Sequence, residues 1–156
     1  MKKVTGNLLD MAENGDFEVI IHGCNCFNTM GSGIAKQIKD RYPSAYKIDC
    51  MTEKGNLKKL GWYTSSLQTV NNTDFVIINA YTQYNFTGRK VGKIDVDYDA
   101  IRKVMRKINI VFKGCRIGYP MIGAGLAGGD WGIISKIIEE ELINVDHTLV
   151  EFDQNI

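Results

Sequence analysis

An α/β sandwich with a largely parallel sheet is the fold the sequence predicts, on three observations. Short β-branched apolar runs recur along the chain, at residues 18–22, 75–80, 116–119 and 148–152. Segments with apolar residues three and four apart separate them, as helices between strands would. Two glycine-rich stretches, residues 22–35 and 119–131, each lead from a strand into a helix. Strands alternating with helices put the helices on the faces of a mostly parallel sheet.

The elements follow in order. Residues 2–4 form a short first strand that ends at Gly6-Asn7. Residues 18–22 are bounded by Gly15-Asp16 and Gly23 and read as a buried strand. Ile34 and Ile38 lie on one face of a helix that stops before Tyr42-Pro43, because the residue before a proline disfavours helix. Ser44 suits the N-cap of a second short helix running to about Lys54. Residues 61–64 and 75–80 are strands, the second continuous enough to be central. Residues 82–93 are polar and glycine-bearing, a loop and a candidate lid. Asp95 or Asp97 caps a helix carrying Tyr98, Ile101, Val104, Met105 and Ile108 on one face. Residues 116–119 are a strand, and Asp130 caps a last helix with the stripe Ile133, Ile134, Ile137, Ile138 and Leu142. Residues 148–152 close the sheet.

A chain of 156 residues is enough for one domain, 1–156, with a full core. Hydrophobic content of 44% and charged content of 24% are ordinary for a soluble globular protein. Nineteen basic against 18 acidic residues leave a net charge of +1, no electrostatic basis for broad nucleic-acid binding. The groups Lys54, Lys58, Lys59 and Arg102, Lys103, Arg106, Lys107 read as solvated faces. No apolar run approaches the roughly 18 residues of a membrane span, and no signal peptide is visible. A cytoplasmic protein without membrane or nucleic-acid partners is the expectation. The four cysteines do not form a disulfide framework, and neither histidine lies in a zinc-spaced cluster. Cys24 and Cys26 point opposite ways if their segment is extended. No metal and no cofactor are expected.

Glycines at a strand–helix junction let the backbone approach a ligand and aim several N–H groups at it. A helix N-terminus behind such a loop favours an anion. In sheets of this kind ligands collect at the carboxyl ends of the strands, so the two loops meet in one cleft. They grip a ligand with phosphate and sugar groups. There is no GxxxxGK[ST]; Gly123-x-Gly125-x-x-Gly128 fits GxGxxG but lacks the βαβ unit and distant acidic residue of a dinucleotide site.

Taken together, the loops resemble those of the macrodomain family, whose members bind ADP-ribose. The resemblance covers nearly the whole chain. Val4-Thr5-Gly6-Asn7-Leu8 looks like the family's opening strand and turn. Residues 21–43, through Met30-Gly31-Ser32-Gly33-Ile34-Ala35, look like its first binding loop and helix. Pro120-Met121-Ile122-Gly123-Ala124-Gly125-Leu126, followed by Trp131, looks like its second. The resemblance implies a three-layer α/β/α sandwich with a mixed, largely parallel sheet, and a monomer. The nearest branch is the ADP-ribose 1''-phosphate phosphatases, marked by His22 two residues before Cys-Asn-Cys and by Ile-Ala-x-Gln after the glycines. Its substrate would be ADP-ribose 1''-phosphate and its products ADP-ribose and phosphate, with ADP-ribosylated protein as a further partner.

The resemblance also implies a contact map. Asn7, or the backbone around Leu8, meets the adenine amino edge; many members have Asp there. Phe152 stacks on adenine, or is an ordinary core aromatic. Gly31, Ser32, Gly33, Ile34 and Ala35 clasp the diphosphate and distal ribose. Gly123, Ala124, Gly125, Leu126, Ala127 and Gly128 close from the other side. Asn25 reaches the distal ribose, or satisfies its own turn. The 82–93 loop would bring Tyr84, Asn85 or Arg89 to the substrate.

Phosphate hydrolysis needs stabilised phosphate charge, an aimed oxygen nucleophile and a proton for the leaving oxygen. Backbone N–H groups supply the first without a metal. His22 is the candidate for acid–base or nucleophilic work, since imidazole titrates near neutral pH; the alternative is a strand-end histidine held by backbone. Asp130 is the candidate carboxylate, with a helix N-cap as its alternative. Three other readings stay open. A branch that removes ADP-ribose from protein carboxylates uses a lysine after the central strand and an aspartate in the second loop. Here those places hold Asn79-Ala80-Tyr81-Thr82-Gln83 and Ala127, so that mechanism is disfavoured. A hydrolase branch with an Asn-rich first loop, to which Asn25 and Asn28 correspond, and use of O-acetyl-ADP-ribose form the second. The third is a non-catalytic ADP-ribose-binding module.

Overall fold

A computed structural model describes residues 1–153. Six strands form one sheet: β1 (Lys2–Gly6), β2 (Val19–Cys24), β3 (Tyr63–Val70), β4 (Thr73–Tyr81), β5 (Arg116–Tyr119) and β6 (Asp146–Phe152). Their order is β1-β6-β5-β2-β4-β3, parallel throughout except for the β3–β4 pair. Five α-helices cover it: α1 (Leu8–Glu13), α2 (Gly33–Arg41), α3 (Pro43–Cys50), α4 (Tyr98–Val111) and α5 (Trp131–Glu141).

The sheet is apolar on both faces because both are covered. In β2, Val19 and Ile21 enter one core with Ile101, Val104, Met105 and Ile108 of α4 and Ile134, Ile137 and Ile138 of α5. Ile20 points the other way, with Ile77, toward Leu8, Leu9 and Ala12 of α1, Ile38 of α2 and Ala45 of α3. The three-layer α/β/α sandwich with its mixed, largely parallel sheet is therefore present. On the solvent side α4 and α5 are joined by Arg102 to Glu140 at 2.8 Å and Arg106 to Glu141 at 3.1 Å.

Several local expectations need correction. Residues 65–70 continue the strand begun at Tyr63 and form a hairpin with β4, Val70 facing Thr73. Asn71 and Asn72 make the turn with φ of 49° and 65°. Two successive positive φ values are what a two-residue turn between twisted strands requires, and asparagine tolerates them. The turn after Gly6 runs straight into α1, where the Asn7 side chain accepts from Asp10 N–H at 3.1 Å. Ser44 is not a cap: Pro43 takes the first helical position, leaving Tyr42 as the capping residue. Of the two candidate caps of α4, Asp97 serves, accepting from Ala100 N–H at 3.0 Å.

Candidate functional site

The carboxyl ends of β5, β2 and β4 open on a cleft of about 540 Å³. Its first wall is the loop after β2 and the start of α2. Asn25, Gly31, Ser32, Gly33, Ile34 and Ala35 line it. Gly33 sits at φ +59°, a left-handed conformation that glycine adopts without strain. Ser32 occupies the N-cap of α2 but makes no side-chain hydrogen bond, so the positive end of the helix opens into the cleft.

The loop is held in shape from behind. Asn25 Nδ2 donates to Thr29 O at 3.1 Å and Thr29 Oγ1 at 2.8 Å, and its Oδ1 accepts from Phe27 N–H at 2.9 Å. Asn25 lines the cleft but spends its polar atoms on its own turn. Asn28, at φ 57°, is pinned on every side: Oδ1 accepts from Lys59 Nζ at 2.6 Å and Thr52 Oγ1 at 3.2 Å, Nδ2 donates to Thr52 O, and its carbonyl accepts from Tyr46 Oη. Lys59 also donates to Cys26 O at 3.1 Å and lies over the Tyr81 ring. It is 9% exposed, so this lysine is a buried strut and not part of a solvated face.

The second wall is the loop after β5, where Gly123, Gly125, Leu126 and Ala127 line the cleft. Gly123 combines φ +73° with a close approach: a Cβ there would lie 2.6 Å from Val96 Cγ2. Its carbonyl accepts from Gly129 N–H at 2.7 Å, and Gly128 N–H donates to Gly125 O at 3.0 Å. The amides of Gly125, Leu126 and Ala127 have no intrachain backbone acceptor among the described residues. Ala124 packs toward the core and Gly128 supports the turn; neither lines the cleft. A third wall comes from the 82–93 segment, through Gln83, Phe86, Arg89 and Lys90, with Asp95 just beyond it.

No family model matches the chain. An uncharacterised 17.5 kDa protein of Enterobacteria phage T4 is 30% identical over 162 residues, covering 98% of this chain and 97% of that protein. The DNA ADP-ribosyl glycohydrolase of Mycobacterium tuberculosis is 29% identical over 96% of this chain, which spans 39% of that protein's length. The ADP-ribose 1''-phosphate phosphatase of Aspergillus oryzae is 42% identical over 48 residues, 31% of this chain and 22% of that protein. Among solved structures, the macrodomain of Mycobacterium tuberculosis DarG superposes with a TM-score of 0.72 at 21% identity over 96% of this chain and 95% of that one. Thermosipho africanus DarTG in complex with ADP-ribose gives 0.72 at 14% identity, covering 100% of this chain and 43% of that one. The chain has the macrodomain fold.

Three further expected contacts of this macrodomain lie outside the cleft lining. Asn7 and Phe152 stand at the ends of β1 and β6, one strand and more beyond β5 on the same lip of the sheet. Asn7 caps α1, and Leu8 is buried in the core below it. Phe152 is 60% exposed, which removes the alternative of a core aromatic.

The two catalytic candidates are also elsewhere. His22 faces the α1–α3 layer, opposite in β2 to the residues on the α4–α5 side, and is 0% exposed. Its Nε2 donates to Asn79 Oδ1 at 2.6 Å, and Cys24 Sγ lies 3.5 Å from the same nitrogen. Burial drives its pKa down to about 4, against the opposing pull of the Asn79 hydrogen bond. A neutral imidazole sealed behind the sheet cannot touch a ligand phosphate, so His22 is a structural residue here. Burial likewise pushes the Cys24 and Cys26 thiols up, disfavouring thiolate nucleophiles. The two cysteines share one cluster with Met30 and Tyr81, because the chain turns after Cys24 instead of staying extended.

Asp130 is the N-cap of α5, its Oδ1 accepting from Gly132 N–H at 2.7 Å. It does not line the cleft, so the capping alternative holds. Asp130→Ala is expected to cost about 1 kcal/mol of stability, read by urea unfolding, and to leave ligand affinity unmoved. The carboxylate that does line the cleft is Asp95, which sequence reasoning treated only as a helix cap. Both its oxygens accept from Gly88 N–H at 3.0 Å, fixing it beside the cleft. No sequence signal separates Asp95 from Asp97; only the strand-like bridge from Gln83 to Val96 turns one inward and leaves the other to cap.

Proposed function

We propose that this macrodomain binds ADP-ribose along the cleft and hydrolyses the terminal phosphate of ADP-ribose 1''-phosphate. The observation that carries the reading is the open N-terminus of α2, set across the cleft from the amides of residues 125–127. Two sets of fixed N–H dipoles converging on one space suit a diphosphate and a sugar phosphate without a metal. A cleft of about 540 Å³ is within the usual range for small-molecule sites. Asn7 and Phe152, on the lip beyond β5, set the adenine end; the likeness to the ADP-ribose complex and to the phosphatase segment supports the same ligand.

With His22 out of reach, the acid–base role falls to Asp95. A water oxygen attacks phosphorus, and the bond from phosphorus to the anomeric oxygen breaks. The water's proton passes to the Asp95 carboxylate and on to the leaving oxygen, giving ADP-ribose and inorganic phosphate. Asp95→Asn keeps an acceptor for Gly88 N–H and removes the base. It is expected to lower phosphate release by about a hundredfold or more while the calorimetric Kd for ADP-ribose stays within about threefold. Equal release by variant and wild type would exclude Asp95.

A second reading, removal of ADP-ribose from a macromolecule, is supported by the likeness to the glycohydrolases over 96% of the chain. The places of that chemistry's lysine and aspartate hold Thr82 and neighbours and Ala127. Wild-type protein that releases ADP-ribose from modified DNA or protein but no phosphate from ADP-ribose 1''-phosphate would establish this second reading in place of the first. Tight ADP-ribose binding with neither activity would make it a binding module.

A further inference from the structure

The segment between β4 and α4 is wired to both jaws of the cleft. Toward the first loop, Cys26 N–H donates to Tyr84 O at 3.0 Å, and the Phe27 ring packs edge-on against Tyr84 at 4.9 Å and Phe86 at 6.3 Å. Toward the second, the N–H groups of Asp95 and Val96 donate to Ala127 O at 3.0 and 3.3 Å. Between these anchors the chain closes a 3-10 turn, Gly88–Val91, tied by Lys93 N–H to Gly88 O at 2.8 Å and by the Asp95 carboxylate on Gly88 N–H. The candidate lid is thus a built arm.

The turn presents Arg89 and Lys90, and both line the cleft. Arginines 41, 102, 106 and 116 each pair with a carboxylate. The side chains of Arg89 and Lys90 have no ion-pair or hydrogen-bond partner among the described residues. Two unpaired cations at the mouth of a cleft are an anion subsite in electrostatic terms.

The strand order says which part of a ligand they meet. β1 and β6, which carry the adenine end, lie on one side of β5 and β2; the arm leaves β4 on the other. The arm therefore faces the far end of the ligand, beyond the distal ribose. We propose that Arg89 and Lys90 form an anion-reading arm that selects ADP-ribose bearing a phosphomonoester on its distal ribose over ADP-ribose itself. This rests on the ADP-ribose reading of the cleft. A phosphomonoester carries nearly two negative charges at neutral pH, which two adjacent cations match, and the guanidinium fork fits its oxygens. Hydrolysis removes the arm's partner, so the product is released from a weaker complex.

The test compares two ligands on two proteins: ADP-ribose and ADP-ribose 1''-phosphate, competing for labelled ADP-ribose on wild type and on the double variant R89A/K90A. Where wild type turns the phosphate over, initial-rate KM replaces competition; where it does not, the compound is a stable competitor and the comparison stands. Wild type is expected to favour the phosphorylated ligand by about ten- to a hundredfold, and the variant to lose most of that preference. The preference is also expected to shrink in wild type as salt rises. Wild type that binds ADP-ribose but shows no preference overturns the arm while leaving the ADP-ribose reading intact. So does a variant that weakens both ligands equally, which marks the arm as structural. Absence of ADP-ribose binding to wild type overturns both.

Discussion

Gly125→Val is expected to weaken ADP-ribose binding about ten- to a hundredfold while leaving the fold about as stable as before. Gly125 lines the cleft, its φ is outside the left-handed region, and a Cβ there would meet nothing within 4 Å. The open space that receives the valine is the ligand's. Its side chain takes volume from the jaw formed by residues 125–127, so the ligand must shift off those amides. Crowding of this kind costs about 1–3 kcal/mol, a ten- to hundredfold rise in Kd by calorimetry. Because the position is exposed and unstrained, the urea midpoint is expected to move by no more than about 0.5 kcal/mol of stability. Gly123→Ala gives the contrast. Its φ of +73° and its approach to Val96 penalise any side chain, so stability and binding fall together. Unchanged affinity in Gly125→Val would mean that the ligand does not lie between the two loops.

The walls of this cleft were legible because their signals are local. A strand-ending apolar run, then glycines, then helical periodicity marks each jaw, and β5 emerges within the bounds its composition suggests. What escaped was set by pairing at a distance. Residues 65–70 alternate in a way that a loop does also, and only the Asn71-Asn72 turn signals the hairpin with β4. The outward or inward choice for a side chain at a strand end depends on register. His22 and Gly23 are neighbours in sequence, yet one is sealed against Asn79 and the other lines the cleft. Chemistry assigned by proximity in sequence, to His22 and Asp130, therefore fell on the wrong face or on a cap. Lys59 escaped for a related reason: a lysine beside two others reads as solvated, and nothing local reveals that its ammonium reaches back to Cys26 and Asn28.

The same burial that removes His22 from the cleft makes it a pH-sensitive element of the fold. Its pKa falls from an ordinary 6.5 to about 4 because the charged form cannot be solvated behind the sheet. Between those two values the unfolded chain binds a proton that the folded chain does not. Stability is fully present above pH 6.5, falls as the pH drops through that interval, and stops changing from this source below about 4. The contribution amounts to about 3 kcal/mol. Asp49, whose carboxyl burial raises, acts with the opposite sign, and its hydrogen bond from Tyr81 Oη at 2.7 Å belongs to the same buried network through Thr64 and Asn79. His22→Gln isolates the histidine. The carboxamide keeps a donor for Asn79 Oδ1 and cannot ionise, and Asp49 is common to both proteins. Urea unfolding of wild type and variant at pH 7.5 and pH 4.5 is expected to show the gap between the two conditions narrowing by about 2–3 kcal/mol in the variant. At pH 7.5 the variant is expected to lose about 1–2 kcal/mol, the cost of an imperfect fit in a closed core. Phosphate release per folded molecule is expected to persist, since the imidazole never meets the ligand. An unchanged acid limb would show that His22 is reached by solvent, and a folded variant that binds ADP-ribose but releases no phosphate would return this histidine to the chemistry.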